Sequence, residues 1–168
     1  QVRPTPDRVR EALFSILMAN IEGAEVLDLF AGSGALGLEA LSRGARHVTF
    51  AEKSRRVIEI LEQNCQLFDE EQYRILSMPA QRAVEVLGDE EARFDLILLD
   101  PPYDARLLEP ALHSLEERKL LKPTTIVVCE HRGNAVPPQP PTAWVLESTR
   151  KYGDVAVSLY LRETEETP

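Results

Sequence analysis

The chain has 168 residues, 43% of them hydrophobic and 28% charged, and a formal net charge of −9. That length suits one domain burying about 70% of its unfolded surface, and no apolar run approaches the ~20 residues that cross a bilayer. The acidic balance argues against a broad electrostatic grip on nucleic acid, so any such contact is local or shared with another partner. The two cysteines, Cys65 and Cys129, fall in predicted regular elements and form no metal-like cluster, which reads as two reduced thiols of a cytoplasmic protein. The opening Gln1-Val2-Arg3-Pro4 has no apolar leader core and no initiator Met, so the sequence reads as trimmed.

Thr5-Pro6-Asp7 predicts a helix start, with Thr5 as cap, Pro6 in the first turn and Asp7 near the positive end of the dipole. Val9, Ala12, Leu13, Ile16 and Leu17 recur at helical spacing as its buried face. Positive charge gathers here as Arg3, Arg8 and Arg10, either a solvated face or a basic edge for a substrate. Gly23 turns the chain into a first strand, Glu25 to Phe30, followed by a glycine turn and a helix over 34–43 that Gly44 stops. His47 to Glu52 is a second strand. Ser54 caps a helix over 54–68, with Leu67 and Phe68 expected inward.

Tyr73 to Ser77 is a third strand; Pro79 opens a helix to Leu87, and Gly88-Asp89-Glu90-Glu91 is a polar loop. Phe94 to Leu99 is a strongly apolar fourth strand, ended by Asp100-Pro101-Pro102-Tyr103, where two prolines forbid further pairing. A helix over Arg106–Glu117 leads to a fifth strand, Thr125 to Glu130. A stiff proline-rich loop from Ala135 to Pro141 follows. Ala143–Ser148 and Val155–Arg162 read as an antiparallel hairpin joined through Arg150 to Asp154. The expected fold is therefore α/β: a doubly wound, mainly parallel seven-stranded sheet with a C-terminal antiparallel hairpin. Residues 1–22 form a helical segment on the core, 23–163 the core, and 164–168 an acidic tail.

Sheets of this kind bind ligands beyond the carboxyl ends of their strands. Asp28, Gly32, Glu52, Pro79 and Asp100 all fall at such ends, on four different strands. Gly32-Ser33-Gly34-Ala35-Leu36-Gly37 matches the G-x-G-x-x-G turn, whose glycines let a ligand approach the backbone at a helix start. Glu52, twenty residues on from Gly32, suits a ribose diol because a carboxylate accepts from two hydroxyls. Asp28, inside an apolar strand, requires hydrogen bonds or a cation. A ligand ammonium group and the amides of the glycine turn are both open as its partner. Asp100 and the Pro101 carbonyl offer acceptors to a planar amine, and Tyr103 a ring on which a flat base stacks. No metal is implied.

Asp28 to Gly34 resembles the adenosylmethionine-binding motif of Rossmann-like methyltransferases, and Asp100-Pro101-Pro102-Tyr103 resembles their amine-methylating motif. Arg3 to Phe14, Asp28 to Gly44 and the closing Tyr152-Gly153-Asp154 hairpin resemble the RsmD family, bacterial enzymes that methylate the exocyclic amine of a guanine in small-subunit ribosomal RNA. The resemblance implies S-adenosyl-L-methionine as cofactor, with Asp28, Phe30, Ala31, Gly32, Ser33 and Gly34 around its methionine part. It implies Glu52 on the ribose with Lys53 beside it, and Pro79 and Ala80 flanking the adenine. Relatives usually carry Asp or Asn where Pro79 stands, which leaves the Ala80 backbone amide for the adenine. Asp100, Pro101, Pro102 and Tyr103 would be catalytic, Asp100 also bordering the cofactor. Arg3, Thr5, Arg8, Arg10 and Tyr103 would meet the RNA. The implied partner is small-subunit ribosomal RNA within an assembling 30S particle, met by a cytoplasmic monomer without membrane contact.

Three other readings fit parts of the pattern. The same motif serves methylation of adenine in DNA or of a protein glutamine. The glycine turn also serves nicotinamide oxidoreductases, although no catalytic His or Tyr-Lys pair and no second domain are visible. A non-catalytic RNA-binding or assembly module is the third.

Overall fold

The structure is a computed structural model, and it describes residues 6–101 and 105–163. One seven-stranded sheet runs in the order β3-β2-β1-β4-β5-β7-β6. Its strands are β1 (Glu25–Asp28), β2 (His47–Glu52), β3 (Tyr73–Ser77), β4 (Phe94–Leu99), β5 (Leu121–Arg132), β6 (Trp144–Tyr152) and β7 (Val155–Arg162). The first five pair in parallel, and β7 runs antiparallel to both β5 and β6. The helices are α1 (Asp7–Leu17), α2 (Ala35–Ser42), α3 (Arg55–Cys65), α4 (Ala80–Asp89) and α5 (Leu108–Glu117). This is the expected doubly wound architecture with its C-terminal hairpin.

Alternation along the strands feeds two cores. Val26, Leu96 and Leu98 join residues of α1, α2 and α3 on one face. Leu27, Ile97 and Leu99 join α4 and α5 on the other. Covered on both sides, the middles of β1 and β4 need apolar residues, hence Val26-Leu27 and Leu96 to Leu99. Phe14, absent from the expected stripe of α1, is fully buried, and Arg43 of the segment after α2 stacks over its ring at 5.5 Å.

Several boundaries differ from the sequence reading. Pro6 stands at the cap position of α1 in extended conformation rather than in its first turn; Thr5 lies outside the described residues. Leu67 is 87% exposed, because α3 ends at Cys65 and the chain turns away before 67. Gly88 and Asp89 belong to α4, where Arg118 pairs with Asp89 and donates to the Glu85 carbonyl. Ala105–Leu107 is a 3-10 turn leading into α5. β5 and β6 outrun their expected ends where neighbours supply backbone partners: β7 carries β5 to Arg132↔Val155 and β6 to Tyr152↔Val155, and Leu121, at the start of β5, pairs with Phe94 of β4. Gly153, at φ 65°, then turns the hairpin in two residues.

Candidate active site

The glycine turn is clamped between its neighbours. Leu29 donates its N–H to the Leu98 carbonyl at 2.9 Å, and Ala31 donates to Ala51 at 2.9 Å. The first bond ties the turn to β4 and the second to β2. Gly34 caps α2 at φ 90°, a left-handed conformation that side chains resist. A Cβ on Gly34 would also run into Leu61. Gly37 is needed for a different reason: a Cβ there would collide with the Phe50 ring and Val48, so its absence sets how closely α2 lies on β2.

Asp28 is 1% exposed, and its Oδ2 accepts the Gly37 N–H at 3.0 Å. Of its two sequence-level readings, this is the brace: the carboxyl holds the first turn of α2 from beneath. Burial pushes its pKa up to about 7; the Gly37 hydrogen bond opposes the rise and the Glu52 charge adds to it.

Glu52 ends β2 at the mouth of the turn. Its Oε1 accepts the Gly32 N–H at 3.0 Å and its Oε2 accepts the Ser54 N–H at 2.8 Å. Each oxygen keeps acceptor capacity for a further donor. Asn64 of α3 donates through Nδ2 to the Ser33 carbonyl at 2.9 Å, steadying the turn from the other side. Sequence reasoning passed over Asn64. The available signal was a polar residue three positions from Leu61, on the apolar face of α3.

Beside Glu52 lies a cavity of about 310 Å³. Phe30, Glu52, Lys53, Pro79 and Ala80 line it, five of the residues expected to hold a cofactor. Leu29, Ala51 and Val84 give it an apolar interior, and Pro110, Ala111 and Ser114 of α5 close it. The α5 wall was not expected; its trace in the sequence is the small pair Ala111 and Ser114, three residues apart on one side of the helix. Pro79 stands at the N-cap of α4 without a side-chain cap, so the first amides of that helix are left to the cavity side. Ala31 to Gly34 reach this site through Glu52, and Asp28 lies beneath them rather than in its wall.

Asp100 and Pro101 follow β4 at the same rim. Leu98 is the register partner of Asp28, and Asp100 stands two residues beyond it. Asp100 and Pro101 are half-buried. The fold thus brings Asp28, Gly32, Glu52, Pro79 and Asp100 to one edge of the sheet. Pro102 and Tyr103 lie outside the described residues, as do Arg3 and Thr5. A second cavity, of about 640 Å³, opens between α5, His131 at the end of β5 and the proline loop, sharing Pro110 with the first. The loop is pinned there: Gln139 N–H donates to Glu109 at 2.8 Å and the Tyr160 hydroxyl to the Pro138 carbonyl at 2.6 Å.

The two described basic residues of the N-terminal cluster separate. Arg10 pairs with Asp7 at 2.8 Å and with Glu39 at 3.2 Å, so it joins α1 to α2. Arg8 is exposed and reaches within 3.7 Å of where a side chain on Gly153 would begin.

The family described as "Conserved hypothetical protein 95" matches residues 1–161. The ribosomal RNA small subunit methyltransferase D of Haemophilus influenzae is 39% identical over 163 residues, 95% of this chain and 82% of the relative. That of Escherichia coli K12 is 37% identical over 164 residues, covering 98% and 81%. Among solved structures, yhhF of Escherichia coli superposes with a TM-score of 0.87 at 35% identity, covering 98% of this chain and 92% of that one. A conserved hypothetical protein of Streptococcus pyogenes superposes at 0.83 with 34% identity, covering 92% and 95%.

Proposed function

The chain belongs to the family described as Conserved hypothetical protein 95, the RsmD family, and from that membership we propose that it is an S-adenosylmethionine-dependent methyltransferase acting on the exocyclic amine of a guanine in small-subunit ribosomal RNA. The observation that supports this most is the Glu52 carboxylate, hydrogen-bonded to Gly32 at the mouth of an apolar cavity, on the same rim as Asp100.

The residues present fit the cofactor. Glu52 keeps acceptor capacity for a ribose diol, and the Leu29, Ala51 and Val84 surface suits a flat base. The uncapped start of α4 offers the Ala80 amide to the adenine in place of a side chain at 79. The turn Ala31–Gly34 would hold the methionine part, kept in shape by Asp28, Asn64 and Glu52. When bound, the cofactor supplies an electrophilic methyl group.

The protein's part is orientation. Asp100 and the Pro101 carbonyl accept hydrogen bonds from the guanine amine and direct its lone pair toward the cofactor side. Tyr103 stacks on the base. The wider cavity beyond Pro110, between α5 and the proline loop, offers room for a base swung from its stack. Rate enhancement of this kind comes from positioning and from acceptors fixed where positive charge develops on the amine.

The net charge of −9 favours a substrate presented by an assembling 30S particle over naked RNA. Among the described residues no helix is long and apolar enough to cross a membrane; an rRNA substrate assigns a monomeric enzyme to the cytoplasm. The test is incubation of the chain with methyl-labelled cofactor and small-subunit RNA, free or in particles. Label in the RNA, lost with Asp100→Ala while cofactor binding persists, supports the reading. Label in DNA or protein instead redirects it, and NADH binding without adenosylmethionine binding removes it.

A further inference from the structure

The distribution of matched and unmatched cations over the sheet is uneven. At the amino-end rim, most positive charge is neutralised locally; among the described residues Arg93 and Lys119 are exposed there without an ion pair. Arg46 pairs with Glu25 at 2.6 Å, Arg74 with Glu90 at 2.7 Å, Lys122 with Asp95 at 2.9 Å and Arg162 with Glu116 at 3.3 Å. At the carboxyl-end rim it is not. Among the described residues, Arg8, Lys53, Arg55, Arg56, Arg132, Arg150 and Lys151 are all exposed there and carry no ion pair. In a chain with 28 acidic residues against 19 basic ones, that is a selective omission.

These cations fall on two sides of the candidate site. Lys53, Arg55 and Arg56 follow Glu52 directly. Lys53 lines the cofactor cavity, whereas Arg55 and Arg56 begin α3, whose first turn holds no acid. Two cations at a helix N-terminus oppose its dipole. No hydrogen bond or ion pair among the described residues compensates them.

On the other side, Arg132 ends β5 opposite Val155, and Arg150 stands opposite Val157. Both valines pack in the core layer of α1, so Arg132 and Arg150 share that face of the sheet with Arg8. Lys151, opposite Ala156, lies on the other face of the same strand end. Of the acids near this group in sequence, Asp7 pairs with Arg10, Glu130 is buried, and Glu147 and Asp154 are each three residues away. From β2, Arg132 on β5 is three strand steps away and Arg150 and Lys151 on β6 are five, or roughly 14 and 24 Å at ~4.8 Å per step.

We propose that the RNA crosses the carboxyl-end rim on these two cationic flanks, its phosphates held by Arg55 and Arg56 on one side and by Arg8, Arg132, Arg150 and Lys151 on the other, with the target base dropped between them. This rests on the methyltransferase reading and adds where its polyanionic substrate lies. It also gives an acidic protein a route to an RNA substrate, since cations without an ion pair are available at this rim for local phosphate contacts.

The test compares the wild-type chain with Arg55→Gln/Arg56→Gln, with Arg132→Gln/Arg150→Gln/Lys151→Gln, and with the amino-end control Arg93→Gln/Lys119→Gln. Fluorescence anisotropy with a small-subunit RNA fragment, over a range of salt, reads the surface whether or not methyl transfer is observed. S-adenosylhomocysteine titration reads the cofactor site. Each flank variant should bind RNA about tenfold or more weakly and lose about 0.7 from the log–log salt slope per contact removed. The control should bind as wild type does, and the S-adenosylhomocysteine Kd should stay within about twofold throughout. Wild-type RNA affinity and slope in both flank variants, or an equal loss in the control, overturns the proposal. Failure of the wild-type chain to methylate RNA it binds with these flanks counts against the enzymatic reading, not against the surface.

Discussion

Glu52 and Gly32 are joined by a hydrogen bond of 3.0 Å, from the Gly32 N–H to Oε1 of the carboxylate, while Oε2 holds Ser54 at 2.8 Å. One side chain therefore fixes the glycine turn against the end of β2 and faces the cavity where a ribose would lie. Glu52→Gln keeps the shape but turns an NH2 toward one of two N–H donors. The S-adenosylhomocysteine Kd should rise about 10- to 100-fold, the loss expected for a hydrogen bond to a charged group. Calorimetric titration measures it; a change below twofold would exclude Glu52 from the cofactor site.

Asp28 should make stability fall with rising pH. Its folded pKa, about 7, lies above the ordinary 3.8 because the site is buried. The folded state thus holds the proton more tightly than the unfolded chain. The stabilisation is complete below about pH 4 and is lost as pH rises through 7. Between pH 5 and 8 the loss is on the order of 3 kcal/mol. Asp28→Asn keeps an acceptor for Gly37 and cannot ionise. Urea unfolding at both pH values should show the variant gaining on wild type at pH 8; parallel profiles would contradict this.

Gly37→Ala should destabilise the fold without touching any ligand group. The added methyl meets Phe50 and Val48 on β2, where the sheet cannot give way. An overpacked core site costs about 1–3 kcal/mol. A thermal melt reads the loss, and an unchanged midpoint would mean that α2 is free to lift.

Both thiols should be silent in the native protein. Cys65 is pushed up to about 11 and Cys129 higher still, in each case chiefly by burial. Only thiolate reacts, so a disulfide reagent at pH 8 should label neither until denaturant is added. Rapid labelling of either in native buffer would show the core opening.

The sequence revealed most where burial on both faces wrote the pattern. β2, β4 and β7 have the boundaries that apolar periodicity predicts, and the short edge strand β3 keeps its expected bounds as well. It was weaker where backbone pairing alone sets the limit. Arg150, Lys151 and Tyr152 extend β6 because β7 passes alongside, which their polar side chains do not announce. Leu67 misled because an apolar residue past a helix end need not turn inward. At the site, Gly32, Gly34 and Glu52 were legible because their roles depend on residue type. The brace of Asp28 on Gly37 and the α5 wall at Pro110 depend on distances that arise only after the chain folds.

The most direct measurement is mass spectrometry of nucleosides from small-subunit RNA treated with labelled adenosylmethionine and either the wild-type chain or Asp100→Ala. The account predicts N2-methylguanosine with the wild type and a loss of about 100-fold or more in rate with the variant, at unchanged cofactor affinity. Label in any other nucleoside, or an Asp100→Ala variant that methylates at the wild-type rate, would contradict it.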